Sequence, residues 1–342
     1  MPLRQILHKF LTAAHPTLAL PVIALMAAAT ACETDAVDID ISAEKSATVL
    51  TSLFGPSDPI CVYLTSSVAY TSSQSTAPVG DATIALFVNG NLAGTQEIAE
   101  GQTSVEFGSQ SLAEGDSVSI FASLASGGEL SASARVLPLV AIEQADTSST
   151  ANNQRLSFAI TMTDPSETTD FYKIDVHRIT YSASQTTDTT LTCNYLSSAF
   201  HSLTADATAA SATGIFTDER LRKNTKGQST LRLSVLQSDL TASADGADSV
   251  VVAVRLHHLS EDYYNFLTTS AAASSYVVLP VFGSATVSSN VAGGYGIVAC
   301  TVHDERRFKV AQASESKDEY TILTAQFATP PISIFATEKE LH

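Results

Sequence analysis

Apolar and polar residues alternate with a period of two along most of the chain, in short runs broken by Gly, Pro, Asn and Asp. That is the pattern of half-buried strands, whose successive side chains face opposite ways. Ala47–Phe54 stops at Gly55-Pro56, and Ile60–Thr65 follows Pro59. Thr83–Val88 runs into Asn89-Gly90, and apolar residues resume at Leu92-Ala93. An Asn-Gly pair between two such runs predicts a hairpin, because both residues tolerate the positive φ of a type I′ turn. Thr103–Phe107, Ser117–Leu124 and Glu129–Leu137 complete a first set. Within Ser117–Leu124, Phe121 falls on the face opposite Val118, Ile120 and Ala122, so both faces are expected to be partly covered. Strands at this spacing predict an immunoglobulin-like β-sandwich over residues 46–139.

Pro138 and the polar run Gln144–Gln154 predict a linker over residues 140–154. A second β-rich domain is expected over 155–315, with strands at Leu156–Met162, Phe171–Ile179, Leu231–Val235 and Val250–Leu256. Lys173, Asp175 and His177 share one strand face, read as the solvated one. One segment departs from the period of two. Ser260 is placed to cap a helix, Glu261 and Asp262 suit its positive end, and Tyr263, Phe266 and Leu267 share one side. The helix is expected to pack on the sheet and run to about Ala273. The fold class is therefore mainly β: two β-sandwich-like domains, the second carrying one short helix.

The N-terminus follows a different logic. Residues 1–31 carry Arg4, His8 and Lys9, then an apolar stretch, then Ala27–Ala31, with Cys32 directly after. A basic start, an apolar middle and a small-residue cleavage site make a signal peptide. Cys32 in that position resembles the lipobox of bacterial lipoproteins, whose thiol takes a diacylglyceryl group, although Ala29 stands where Leu is more usual. Pro16 and Pro21 interrupt the apolar stretch and weigh against a membrane-spanning helix. Two or three acyl chains anchor stably where one is marginal. Residues 32–45 begin with four acids and no base in Cys32–Asp40 and read as an acidic tether; residues 316–342 read as a C-terminal tail.

Charge narrows the partners. The whole chain carries −17; without residues 1–31, sixteen basic residues face thirty-five acidic ones, a net −19. Such a surface weighs against nucleic acid and against anionic lipid. With Cys32 lipidated, Cys61, Cys193 and Cys300 remain. An exported chain permits one disulfide, with Cys193–Cys300 the candidate pair, or three buried free thiols.

Four further features together resemble a family of exported Bacteroidota lipoproteins catalogued as domain of unknown function 4249. They are Cys32 followed by Asp38-Ile39-Asp40, the opening strand Ala47–Leu53 with its Gly-Pro break, and Ile215-Phe216-Thr217-Asp218-Glu219. The fourth is Val250–Leu256 running into Leu259–Leu267, with Asn290-Val291-Ala292-Gly293-Gly294-Tyr295-Gly296-Ile297 after it. The resemblance implies outer-membrane lipoproteins whose genes often neighbour those of TonB-dependent transporters, and no established activity. Glu33-Thr34-Asp35 loosely resembles the acidic signal that sends such lipoproteins to the cell surface.

Nucleophile elbows, phosphate loops, dinucleotide fingerprints and zinc motifs are not found in the sequence. Gly293-Gly294-Tyr295-Gly296 lacks the Lys-Ser/Thr of a phosphate loop and reads as a tight turn with Tyr295 packed over it. His257-His258 point to opposite faces of a strand, so the pair is not expected to share one metal. A site joining His257 to His303 and Asp304 is the one enzymatic arrangement considered. No catalytic residue, metal or cofactor is expected. The expected function is a non-enzymatic, lipid-anchored outer-membrane or cell-surface protein, binding or accessory to a TonB-dependent transporter. The alternatives are a surface glycan- or peptide-binding protein and an enzyme with a non-contiguous site. Absence of Trp weighs against the glycan version, since sugar sites favour flat aromatic platforms.

Overall fold

The computed structural model describes residues 46–68, 76–149, 154–164, 168–183, 185–200, 213–241, 249–275 and 286–309. The signal peptide, Cys32, the acidic tether, His201, His342 and the tail 316–342 lie outside the described residues. Their readings stand as expectations.

The first sandwich joins two sheets. One has the order β17-β1-β2-β3, from β17 (Tyr295–Cys300), β1 (Thr48–Phe54), β2 (Ile60–Ser66) and β3 (Ala77–Pro78), with β6 (Ser104–Phe107) also paired to β2. The other has the order β5-β4-β7-β8, from β4 (Ala82–Val88), β5 (Asn91–Ile98), β7 (Ser117–Leu124) and β8 (Glu129–Arg135). The hairpin between β4 and β5 turns on Asn89 at φ 50 and Gly90 at φ 78, both left-handed as a type I′ turn requires. Leu50, Phe54, Ile60, Val62, Leu64, Ile84, Leu86, Val118 and Ile120 fill the space between the sheets.

The second sandwich is built the same way. One sheet has the order β13-β15-β10-β9, from β9 (Ile142–Ser149), β10 (Arg155–Thr163), β13 (Asn194–Tyr195) and β15 (Gln228–Leu236). The other has the order β12-β11-β16-β18, from β11 (Phe171–Tyr181), β12 (Thr186–Thr190), β16 (Ser249–Leu259) and β18 (Val302–Lys309), with β14 (Ile215–Thr217) paired to β11. Phe158, Ile160, Met162, Tyr172, Ile174, Leu231, Leu233, Val252 and Val254 form its core. A five-residue helix α1 (Gln237–Thr241) follows β15, and a 3-10 turn at Asp218–Arg220 follows β14. The mainly β architecture, two sandwiches with a helix on the second, is the one the alternation predicts.

Two boundaries are redrawn. The run 140–154, expected as a linker, contains strand β9, hydrogen-bonded to β10 from Ser149 back to Ile142. Only Val140, Ile142 and Ala145 of it enter the second core, so its apolar signal is sparse and the ladder with β10 holds it in place. Residues 155–315 were expected in one domain, yet Val291, Val298 and Cys300 belong to the first core. β17 pairs parallel with β1, from Val49 opposite Tyr295 to Phe54 opposite Cys300. After Thr301, whose N–H donates to the Phe54 carbonyl at 2.8 Å, the chain enters β18 and the second sandwich. The polar stretch after Ser182 also supplies two strands, β12 and β13.

That crossing corrects the candidate disulfide. Cys193 lies in the second core and Cys300 in the first, and Cys61, Cys193 and Cys300 are all free thiols. Burial pushes the Cys193 thiol up to about 11 and the Cys300 thiol up to about 12. Buried, protonated thiols are inert. Maleimide is therefore expected to label Cys193 and Cys300 only after denaturation, and dithiothreitol to leave the melting temperature unchanged.

Helix α2 (Glu261–Ser275) starts where expected, with the Ser260 hydroxyl accepting from the Tyr263 N–H at 3.3 Å. Its apolar side does more than cover one sheet. Tyr263, Tyr264, Phe266 and Leu267 gather with Leu259 and Phe171 of the second sandwich and with Ile297 and Ala299 of β17. β17 is thus buried on both faces, Val298 and Cys300 toward the first core and Ile297 and Ala299 toward the helix. A strand covered on both sides reads as a continuous apolar run.

The turn before β17 is packed to contact. A Cβ on Gly293 would stand 2.0 Å from the Glu129 carbonyl oxygen, and one on Gly294 2.4 Å from Leu130. Tyr295 does not pack over it and is 56 % exposed. Asn290 takes the place of a neighbouring strand. Its Oδ1 accepts from the Val298 N–H at 3.0 Å and its Nδ2 donates to the Val298 carbonyl at 2.8 Å. Asn290→Ala leaves both groups of the β17 edge unmade, an expected loss of about 1–3 kcal/mol. Urea unfolding and faster exchange of the Val298 amide would register it.

Candidate functional site

The described residues gather their densest charge on the outer face of the β12-β11-β16-β18 sheet. Strand register builds the cluster in rows. Lys173, His257 and His303 are opposite one another across β11, β16 and β18, and Asp175, Arg255 and Glu305 form the next row. His177 and Arg307 flank Ala253 in the third, and β12 brings Asp188 alongside. The alternate residues of the same strands, among them Tyr172, Ile174, Val176, Val254 and Leu256, point into the core.

Asp175 is the centre. It is only 4 % exposed, although this face was read as solvated. His177 and His257 both donate through Nε2 to its Oδ1, at 3.1 and 3.2 Å, and Lys173 Nζ lies 2.6 Å from its Oδ2. Burial alone would raise the Asp175 pKa; hydrogen bonds from His177 and His257, with the charges of His257 and Lys173, outweigh it and hold the carboxyl well below the usual range. His177 also faces Asp188, with Nδ1 2.7 Å from Oδ1, so its imidazolium form donates to a carboxylate at each nitrogen. Burial alone would lower His177; Asp175 and Asp188 raise it above its ordinary value. Arg255 spans Asp188 through Nη2 at 2.8 Å and Glu305 through Nε at 2.6 Å, and Arg307 pairs with Glu305 as well. Burial would raise Glu305, but the two guanidinium groups lower it.

The expected constellation of His257, His303 and Asp304 is met in part. The rings of His257 and His303 lie 5.0 Å apart, centre to centre. Asp304 points the other way, into the sandwich, where its Oδ2 accepts from the Ile142 N–H at 2.7 Å and pairs with Arg306 at 3.0 Å. Strand alternation enforces this: His303 and Glu305 share a face that Asp304 cannot reach. His258 is likewise inside, stacked on Tyr172 at 5.4 Å and joined to the Pro138 carbonyl at 2.9 Å. Its neighbour Tyr172 donates to Asp164 at 2.6 Å, and Lys223 closes that pair at 2.5 Å. Among the described residues, no group of three or more His, Cys, Asp or Glu side chains is placed to hold a metal ion.

The period of two on β11 already places Lys173, Asp175 and His177 on one face. The contributions of Arg255, Glu305 and Asp188 depend on register, which no local pattern carries.

The opposite chemistry occupies the outer face of the first sandwich. Phe87 and Phe121 meet edge to face at 5.4 Å, with Leu92 60 % exposed beside Phe87. Ala85, Ser119, Ser131 and Ser133 lie around them in register, without charge. A groove of about 430 Å³ opens at the end of that sheet, lined by Asp81, Thr83, Glu97 and Ser123.

The model of a family described as domain of unknown function (DUF4249) matches residues 34–307. No match was found among curated proteins. Solved structures similar to the chain include two fibronectin type-III domains of chicken tenascin, at 9 % identity and TM-score 0.19, covering 63 % of this chain and 91 % of that one. The FN1–FN3 domains of chicken CNTN1 match at 8 % identity and TM-score 0.24, covering 76 % of this chain and 66 % of that one. A β-glucuronidase of glycoside hydrolase family 2 matches at 8 % identity and TM-score 0.21, with 62 % of this chain against 19 % of that one. The chain thus spans about a fifth of the glucuronidase's length.

Proposed function

From the premise that the chain belongs to the family described as domain of unknown function (DUF4249), we propose that it is a lipid-anchored outer-membrane or cell-surface protein. It acts as a non-enzymatic binding or accessory partner of a TonB-dependent transporter. The observation that carries the non-catalytic reading is the closure of the charged cluster. Asp175, Asp188 and Glu305 are each matched to cations of the same sheet, which leaves none of these carboxylates free as a general base. A scaffold role also suits the clamped junction, where α2 and β17 join the two sandwiches through one apolar cluster.

Two measurements test the proposal. Metabolic labelling with palmitate should mark the full-length chain and not Cys32→Ala. Detergent solubilisation followed by pull-down should recover a TonB-dependent outer-membrane barrel; repeated recovery of the protein alone counts against the accessory role.

The second reading, a surface glycan- or peptide-binding protein, is favoured by Phe87, Phe121 and Leu92 on an uncharged outer face of the sheet at whose far end the Asp81–Glu97 groove opens. Aromatic faces can stack on sugar rings even where Trp is absent. In that case Phe121→Ala should abolish retention on an oligosaccharide array while leaving the pull-down intact.

A further inference from the structure

Register sets two imidazoles of the charged face side by side, and the ion pairs do not consume them. His257 on β16 and His303 on β18 are directly opposed Cα partners. Their ring centres stand 5.0 Å apart with planes tilted by 42°. With Nε2–H donated to Asp175, the neutral His257 imidazole keeps Nδ1 as the nitrogen that carries a lone pair. Among the described residues, Nδ1 of His257 and both ring nitrogens of His303 have no hydrogen-bond partner. His303 is exposed and His257 half-buried, so solvent reaches the pair from the His303 side.

We propose that His257 and His303 form a two-imidazole site for a divalent transition-metal ion of the Zn²⁺, Ni²⁺ or Cu²⁺ class, with water filling the remaining positions. Three observations carry it. The first is spacing. With metal–nitrogen bonds of about 2.0–2.1 Å, two imidazoles at a tetrahedral angle place their ring centres roughly 5 Å apart. The second is the support behind His257. Metal-ligating histidines donate their second N–H to a carboxylate or carbonyl, which fixes tautomer and ring orientation. Asp175 fills that place, and Lys173 and His177 hold it in turn. The third is rigidity: both ligands stand on hydrogen-bonded strands of one sheet, so little ordering is needed on binding.

The site differs in kind from a structural zinc centre. Two protein ligands leave open positions, so the ion is exchangeable and free to accept a further donor from water or from a bound molecule. Imidazole donors select the borderline ions over Mg²⁺ or Ca²⁺, and Cu²⁺ should bind more tightly than Zn²⁺ or Ni²⁺. His258 and Asp304 take no part, because both point into the sandwich.

The test is titration of the full lipidated chain in detergent, without a polyhistidine tag, using Cu²⁺, Ni²⁺ and Zn²⁺ salts alone. The expected result is one ion bound per chain in a step that His303→Ala weakens at least about tenfold and His257→Gln weakens similarly. His303→Ala alters an exposed residue without a hydrogen bond, so its melting temperature should match the wild type. The Cu²⁺ complex should show two equatorial imidazole nitrogens by electron paramagnetic resonance. Binding that survives His303→Ala but disappears with His201→Ala or His342→Ala overturns the proposal. So does a Cu²⁺ spectrum with a single imidazole nitrogen, a readout that decides the matter even if His257→Gln fails to fold.

Discussion

Gly296→Ala is expected to lower the stability of the chain by at least about 3 kcal/mol, enough to leave the first sandwich largely unfolded at moderate urea. Two costs coincide there. Gly296 holds φ +124, a conformation L-residues rarely adopt, and an added Cβ would stand 2.0 Å from the Leu50 carbonyl oxygen. Neither neighbour can retreat, because Leu50 and Gly296 are register partners of the parallel pair β1–β17. Gly80 supplies the control. It has φ +94 but nothing within 4 Å of an added Cβ, so Gly80→Ala should pay the backbone strain alone, about 1–2 kcal/mol. Equal urea midpoints for the two variants would contradict the packing of the turn against β1.

The second large effect is expected at Asp175. Removing one partner of a buried ion pair costs about 3–5 kcal/mol when the remaining charge stays trapped. Asp175→Asn strands Lys173 and His177, but the His177 imidazolium can shed its proton, and that relief draws the expected cost toward about 2–3 kcal/mol. The pH dependence follows from the signs. The Asp175 carboxyl is depressed in the folded state, so its contribution is present above the unfolded value near 4 and fades as pH falls below it. His177 is raised, so its contribution is complete below about 6.5 and fades as pH rises through the higher folded value. The wild type should therefore be most stable between about pH 4 and 6.5 as far as this cluster decides it. In Asp175→Asn the decline on the alkaline side should shrink without vanishing, since Asp188 still faces His177. Urea midpoints measured across the range would show an unchanged alkaline slope if Asp175 did not hold the cluster.

Much of the architecture was legible because alternation is local. The strands at Thr48–Phe54, Ala82–Val88, Arg155–Thr163 and Phe171–Tyr181 announce themselves by period, the Asn89-Gly90 turn by its chemistry, and α2 by its cap and apolar side. The misplacements share a cause. β9 is recruited by hydrogen bonds to β10 rather than by its own apolar residues, so its sequence looks like a linker. β17 lies close in sequence to β18 yet pairs with β1, and nothing within Tyr295–Cys300 names that distant partner. The same blindness to register hid the charged face. Lys173, Asp175 and His177 were visible as neighbours, whereas Arg255, Glu305 and Asp188 join them only once the pairing is known. It also hid that Asp304 leaves β18 on the face opposite His303, away from His257. Cys193 and Cys300 share one domain only on the linear pattern, and the crossing of β17 puts them in separate cores.

The parallel pairing of β1 with β17 also dictates an order of events. A chain delivered N-terminus first, from a ribosome or through a membrane pore, presents β1 at the outset and its partner only some 240 residues later. Until residue 300 has emerged, β1 has an empty edge and the first core lacks Val291, Val298 and Cys300. The N-terminal sandwich therefore cannot close early, whatever the strength of its own hairpins. Long-range pairing of this kind is slow, because the closure entropy of the intervening loop precedes any return from contacts. Among the described residues the latest strands lock both halves: β17 completes the first sandwich and β18, one residue further on, the second. A chain truncated before residue 295 loses both at a stroke, so a late stop codon would damage the beginning of this protein as surely as its end.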